Sequence, residues 1–158
     1  MARSGKDTFA MYLNCFIPTS KYSSIDKIKE IAKECGWNGT KDEKSRKFLS
    51  DLKYLTSKFN DMPFLAIKSA VEQFKKDATK TILLIDIREP DEINRVAKEF
   101  NAKTILIKRD SVKNITSNPA DAGVFDYEYD YVIENNGDLI DLYWKTSEFV
   151  KEIMLNED

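Results

Sequence analysis

The residues best equipped for chemistry stand together near the start of the chain, as Ser4-Gly5-Lys6-Asp7-Thr8. Gly-Lys, one spacer and then Thr is the back half of a phosphate-binding loop. The full pattern is G-x-x-x-x-G-K with Ser or Thr next or one residue later. In such a loop the backbone N–H groups from Ser4 to Thr8 converge on anionic oxygens at a helix N-terminus. Lys6 would reach the β- and γ-phosphates as a point charge, and the Thr8 hydroxyl would bind Mg²⁺. Met1 stands where the pattern has its first glycine, and no apolar strand precedes it in the sequence. The bland alternative is a capped surface helix with an incidental Gly-Lys.

The sequence contains no histidine. Ser-His-Asp and Cys-His catalysis and His-ligated metal sites are therefore excluded. Carboxylates, lysines, arginines and a hydroxyl on a hard cation remain, and phosphoryl transfer needs little more. Asp86 ends the apolar run Thr81-Ile82-Leu83-Leu84-Ile85, the shape of a carboxylate that holds Mg²⁺ through water beside Thr8; otherwise it caps the next helix. Arg88 and Arg109 follow two apolar runs, where guanidinium groups can clamp phosphate in bidentate fashion or form surface ion pairs. Arg46 lies four residues after Asp42, so a helix-surface pair competes with a ligand role. Trp37 and Tyr54 suit either packing or base stacking. Cys15 and Cys35 form no C-x-x-C and read as free buried thiols of a reducing compartment.

These residues need a frame. At 158 residues the chain is expected to be one domain with a real core. Hydrophobic residues are 42% and the net charge is −2, so neither a nucleic-acid nor a membrane partner is expected. No leader pattern is visible, and the cytoplasm is the expected compartment. Helices are predicted from Gly5 to about Phe16, from about Ser24 to Cys35, from a Thr40–Glu43 capping box to Phe59, from Pro63 through Phe74, over Glu89–Phe100 and over about Asp138–Met154. The helix after the capping box should turn Phe48, Leu49, Leu52, Leu55 and Phe59 inward. Lys21–Ser24 is a short candidate strand. Thr81–Ile87 and Thr104–Ile107 read as strands buried on both faces, and Tyr129–Ile133 as a further strand. Such alternation predicts an α/β fold with a parallel sheet, whose ligands sit at the carboxyl ends of the strands. The polar residues there are Asp86, Arg88 and Glu89, then Arg109 and Asp110, then Asn135 and Asn136.

With these residues in place, the chain resembles the P-loop nucleoside/deoxynucleoside monophosphate kinase-like proteins of bacteria and phages. The resemblance runs along nearly the whole chain. It is carried by Ala2-Arg3-Ser4-Gly5-Lys6-Asp7-Thr8-Phe9, by Ile25-Asp26-Lys27-Ile28-Lys29-Glu30-Ile31-Ala32 up to Gly36-Trp37, by Lys41-Asp42-Glu43-Lys44-Ser45-Arg46, by Asp86-Ile87-Arg88-Glu89 and by Ile107-Lys108-Arg109-Asp110. It implies a three-layer P-loop fold, a mostly parallel sheet flanked by helices, with the first central strand missing from this chain. It implies a single domain over 1–158, with a helical acceptor-binding region over about 25–76 and a lid over about 108–128. Ser4, Gly5, Lys6, Asp7 and Thr8 would serve ATP, Thr8 and Asp86 the Mg²⁺, and Arg46 and Arg88 the acceptor phosphate. Lys6, Arg88 and Arg109 would act in transfer, Arg109 on the moving phosphoryl group.

The expected function is transfer of a phosphoryl group from ATP to a (deoxy)nucleoside monophosphate. The alternatives are a nucleotide- or phosphate-binding sensor or degenerate paralogue without catalysis, and a P-loop kinase of another small acceptor. Family members have a central first strand, which this chain lacks. Either a start upstream of Met1 supplies it, or the chain compensates by assembly into a homo-oligomer.

Overall fold

A computed structural model describes residues 4–111, 123–125 and 127–155. The elements alternate in the expected way. They are α1 (Lys6–Phe16), β1 (Thr19–Ser23), α2 (Asp26–Glu34), α3 (Glu43–Asn60), α4 (Met62–Lys76), β2 (Ile82–Asp86), α5 (Pro90–Phe100), β3 (Ile105–Lys108), β4 (Tyr131–Glu134) and α6 (Leu139–Leu155). The protein is α/β, with short parallel strands in two small sheets, β1–β2 and β3–β4. The chain divides into two compact units, one of Met1–Thr19 with Ile87–Asp158 and one of Ser20–Asp86.

In the first of these units β3 and β4 run parallel, with Ile105 opposite Tyr131 and Lys108 opposite Glu134. Helices α1 and α6 pack together through aromatic edges. Phe9 meets Phe149 at 5.6 Å between ring centroids, Tyr12 meets Tyr143 at 5.4 Å, and Tyr131 of the sheet meets Phe149 at 5.2 Å. Phe9, Leu13, Leu142, Thr146 and Val150 are buried at this contact or beside it, and Ile107 and Ile133 are buried in the sheet. Asp138 starts α6 by accepting from the Asp141 N–H at 2.8 Å. At the other end of the sheet the Asp130 carboxylate accepts from the Thr104 N–H at 2.7 Å and from its hydroxyl at 2.8 Å. That clasp uses up Asp130, and β4 therefore begins two residues later than the apolar pattern predicts.

In the second unit the core is Ile28 and Ala32 of α2 with Phe64, Ile67 and Val71 of α4. Asp61 adopts a left-handed conformation (φ 57°), which ends α3 and starts α4 with Pro63 in its first turn. Four expectations are corrected. The cap of α3 is Asp42, whose carboxylate accepts from the Ser45 N–H at 2.7 Å, while the Thr40 hydroxyl pairs with Ser45 Oγ at 2.8 Å. The apolar stripe of α3 is not a core stripe, since Leu55 is 62% and Phe59 87% exposed and only Ser45 of that helix is buried. Every residue of β2 is half-buried rather than buried, because a strand in a two-stranded sheet has one hydrogen-bonded neighbour. Both cysteines are also exposed, not buried. Cys15 lies on a face of α1 away from Phe9 and Leu13, whereas Cys35 is the C-cap residue, just past the end of α2.

No helix among the described residues is long and apolar enough to cross a membrane.

Candidate phosphate site

The Gly-Lys-x-Thr segment sits where the chain enters α1. Gly5 is the N-cap, with φ 95° and ψ 7°, a backbone that a side chain disfavours. It carries no capping side chain, and its carbonyl accepts the first helical hydrogen bond from the Phe9 N–H at 2.8 Å. Ser4 is 2% exposed. Lys6 and Asp7 occupy the first turn, with Lys6 Nζ 3.7 Å from Asp7 Oδ1. Thr8 is half-buried on the same turn. A helix N-terminus of this kind favours anions through its amide donors and dipole.

The end of β4 holds this turn from behind. Asn135, 3% exposed, donates its Nδ2 to the Ser4 carbonyl at 2.8 Å. Its own N–H donates to the Lys108 carbonyl at 2.6 Å, which extends the β3–β4 ladder by one bond. Asn136 binds Asp110 twice, accepting from its N–H at 2.9 Å and donating to its carboxylate at 2.7 Å. Lys145 of α6 donates to the Glu134 carbonyl at 2.8 Å and lies 2.9 Å from Asp141 Oδ2, which ties α6 to the strand end. Lys108 is near both Asp110 and Glu134, at 3.5 and 3.6 Å. Arg109 is half-buried and donates from Nε to Ser111 Oγ at 3.3 Å. Arg88 is exposed just ahead of α5.

Ser4, Gly5, Lys6, Asp7, Thr8, Arg88 and Arg109 thus belong to one unit, and Arg46 and Asp86 to the other. In that second unit Asp86 closes β2. Its carbonyl accepts from the Ser24 N–H at 3.1 Å, and its carboxylate lies 3.2 Å from the Lys21 ammonium. Arg46 is exposed in the first turn of α3, and the Asp42 carboxylate, its expected surface partner, is taken up by Ser45. Trp37 donates its indole N–H to the Thr40 carbonyl at 3.0 Å, and Tyr54 is covered by the Lys58 ammonium at 4.7 Å. The lid expected over about 108–128 falls largely on residues 112–122 and 126, outside the described residues.

Hard oxygen donors are the right chemistry for Mg²⁺, and the Thr8 hydroxyl and Asp86 carboxylate supply that type. Among the described residues no group of three or more acidic, cysteine or histidine side chains gathers to hold a metal alone. Mg²⁺ bound through one or two protein oxygens takes its remaining ligands from phosphate and water. Sequence reasoning did not find Lys21, whose only signal was its place on the strand paired with the one that ends in Asp86. It marked Asn135 as a polar strand end without assigning it a contact. No family model, curated protein or solved structure matches the chain.

Proposed function

We propose that the chain is a P-loop kinase-like phosphotransferase that moves a phosphoryl group from ATP, with Mg²⁺, to a (deoxy)nucleoside monophosphate. The observation that carries this reading is the Ser4–Gly5 turn. Its left-handed glycine opens a helix whose first turn holds Lys6 and Thr8, and a buried strand-end amide backs it. Ser4 to Thr8 would bind the ATP phosphates, with Lys6 as their charge partner. On the same unit Thr8 would hold Mg²⁺, Arg88 the acceptor phosphate, and Arg109 the group in transfer. The three-layer P-loop fold is proposed with it.

Calorimetric titration with Mg·ATP tests the site. The unaltered chain should bind, and Lys6→Ala should lose about 2–4 kcal/mol, the scale of a charge-assisted contact removed from a desolvated partner. Equal binding by both would overturn the assignment. Turnover with a panel of nucleoside monophosphates then tests the reaction. A second reading, nucleotide binding without transfer, is favoured by the Lys21 ammonium 3.2 Å from Asp86, which neutralises the carboxylate that the metal would need. Binding without turnover on any acceptor would decide for it.

A further inference from the structure

We infer that Asn135 is a positioning residue, whose side-chain amide fixes the Ser4–Gly5 peptide in the orientation that presents a donor to an anion. This rests on the phosphate-site reading above. Asn135 is locked to β3 by its own N–H, which donates to the Lys108 carbonyl at 2.6 Å. Its side chain is therefore delivered from a fixed point. Nδ2 donates to the Ser4 carbonyl at 2.8 Å, and both residues are buried. The Ser4 oxygen only accepts, so the nitrogen of the amide must be the atom that faces it. The peptide is planar and trans, so the carbonyl of Ser4 and the N–H of Gly5 point in opposite directions. Holding the carbonyl toward Asn135 turns the Gly5 N–H to the far side, away from the strand. The space a Gly5 side chain would need is occupied by the same Asn135 amide. Asn136, the next residue, does something different: it binds Asp110 beside Arg109. Two adjacent asparagines of one turn thus have separable jobs, and each is the control for the other.

Asn135→Ala, Asn135→Asp and Asn136→Ala test this in the full chain. Two readouts apply: amide hydrogen exchange without ligand, and calorimetric titration with Mg·ATP. Loss of the buried donor should speed exchange at residues 5–9 and weaken Mg·ATP, each by about tenfold, the equivalent of one buried hydrogen bond. Asn136→Ala should leave both within about twofold and speed exchange at residue 110 instead. Asn135→Asp keeps the shape and sets an oxygen against the Ser4 oxygen, so it carries the same test if the alanine variant does not fold. Unchanged exchange at residues 5–9, or equal loosening there by Asn135→Ala and Asn136→Ala, would overturn the inference. Normal Mg·ATP affinity in the Asn135 variants, with Lys6→Ala binding lost, would overturn it while leaving the phosphate site intact. If the unaltered chain binds no Mg·ATP, the nucleotide reading fails, and exchange at residues 5–9 alone decides whether Asn135 sets the turn.

Discussion

Replacing Gly5 with Ala should destabilise the protein much more than replacing Gly36 with Ala, although the two glycines have nearly the same φ. Their φ angles are +95° and +90°. An L side chain in the left-handed region costs about 1–2 kcal/mol, and that term is common to both. The surroundings differ. A Cβ on Gly36 meets nothing within 4 Å. A Cβ on Gly5 would overlap Asn135 Nδ2 and lie 3.3 Å from Asn135 Cγ and 3.6 Å from Leu142 Cδ2. Asn135 can withdraw only by releasing its 2.8 Å bond to the Ser4 carbonyl. A buried acceptor left unpaired costs about 1–3 kcal/mol. The expected losses are thus about 2–5 kcal/mol for Gly5→Ala and about 1–2 kcal/mol for Gly36→Ala. Urea unfolding measures both. The two tryptophans divide conveniently, with Trp144 in the unit that holds Gly5 and Trp37 in the unit that holds Gly36. Equal losses would refute the packing argument. A Gly5→Ala protein within about 0.5 kcal/mol of the parent would refute the strain argument as well. Combining Gly5→Ala with Asn135→Ala should cost less than the sum, because the second change removes the obstacle met by the first.

Three further outcomes are expected. Burial, and then the charge of neighbouring Tyr127, pushes the Tyr129 phenol up to about 12. Its neutral form is favoured by folding, so this contribution is whole below pH about 10 and disappears as pH climbs through about 12. Ultraviolet titration should show a late phenol near pH 12 that vanishes in Tyr129→Phe, and an unchanged titration in that variant would refute the assignment. Hydrogen bonds from the Thr104 N–H and then its hydroxyl hold the Asp130 carboxyl below its usual value. Its contribution is present above pH about 3.9 and lost as pH falls through the lowered folded value. Asn in place of Asp130 should therefore flatten the acid limb of stability, and an acid limb as steep as the parent's would count against the clasp. Both thiols are exposed, so a thiol reagent should consume two equivalents in the native state. One equivalent or none would show that a cysteine is covered.

Helix placement was legible in the sequence because each stop has a local cause: Pro18 after α1, Gly36 after α2, and Asp61 between α3 and α4. The ranking of two nearby caps was not. Thr40 and Asp42 both precede α3, and the choice falls to whichever oxygen reaches the Ser45 N–H. Periodicity tells which residues share a face of α3, but not whether anything covers Leu55 and Phe59. The candidate site was legible where it is local, from Ser4 to Thr8. The amide behind it was hidden, because Asn135 and Ser4 are 131 residues apart in the chain. The Lys21–Asp86 pair was hidden for the same reason, since the residues join only when β1 and β2 align.

The division of the chain also bears on how the protein is made. Ser20–Asp86 is one uninterrupted stretch, whereas the other unit is assembled from Met1–Thr19 and Ile87–Asp158. On a ribosome the uninterrupted stretch can close on itself as soon as β2 has emerged. Helix α1, made first, has to wait for α6, its packing partner, which is made last of the described elements. Closing so long a loop is entropically slow, and the apolar side of α1, with Phe9 and Leu13, stays open to water until then. The Ser4–Thr8 segment thus emerges before most of the described residues and is set in place only after them, because the Asn135 that holds it is translated only just before α6.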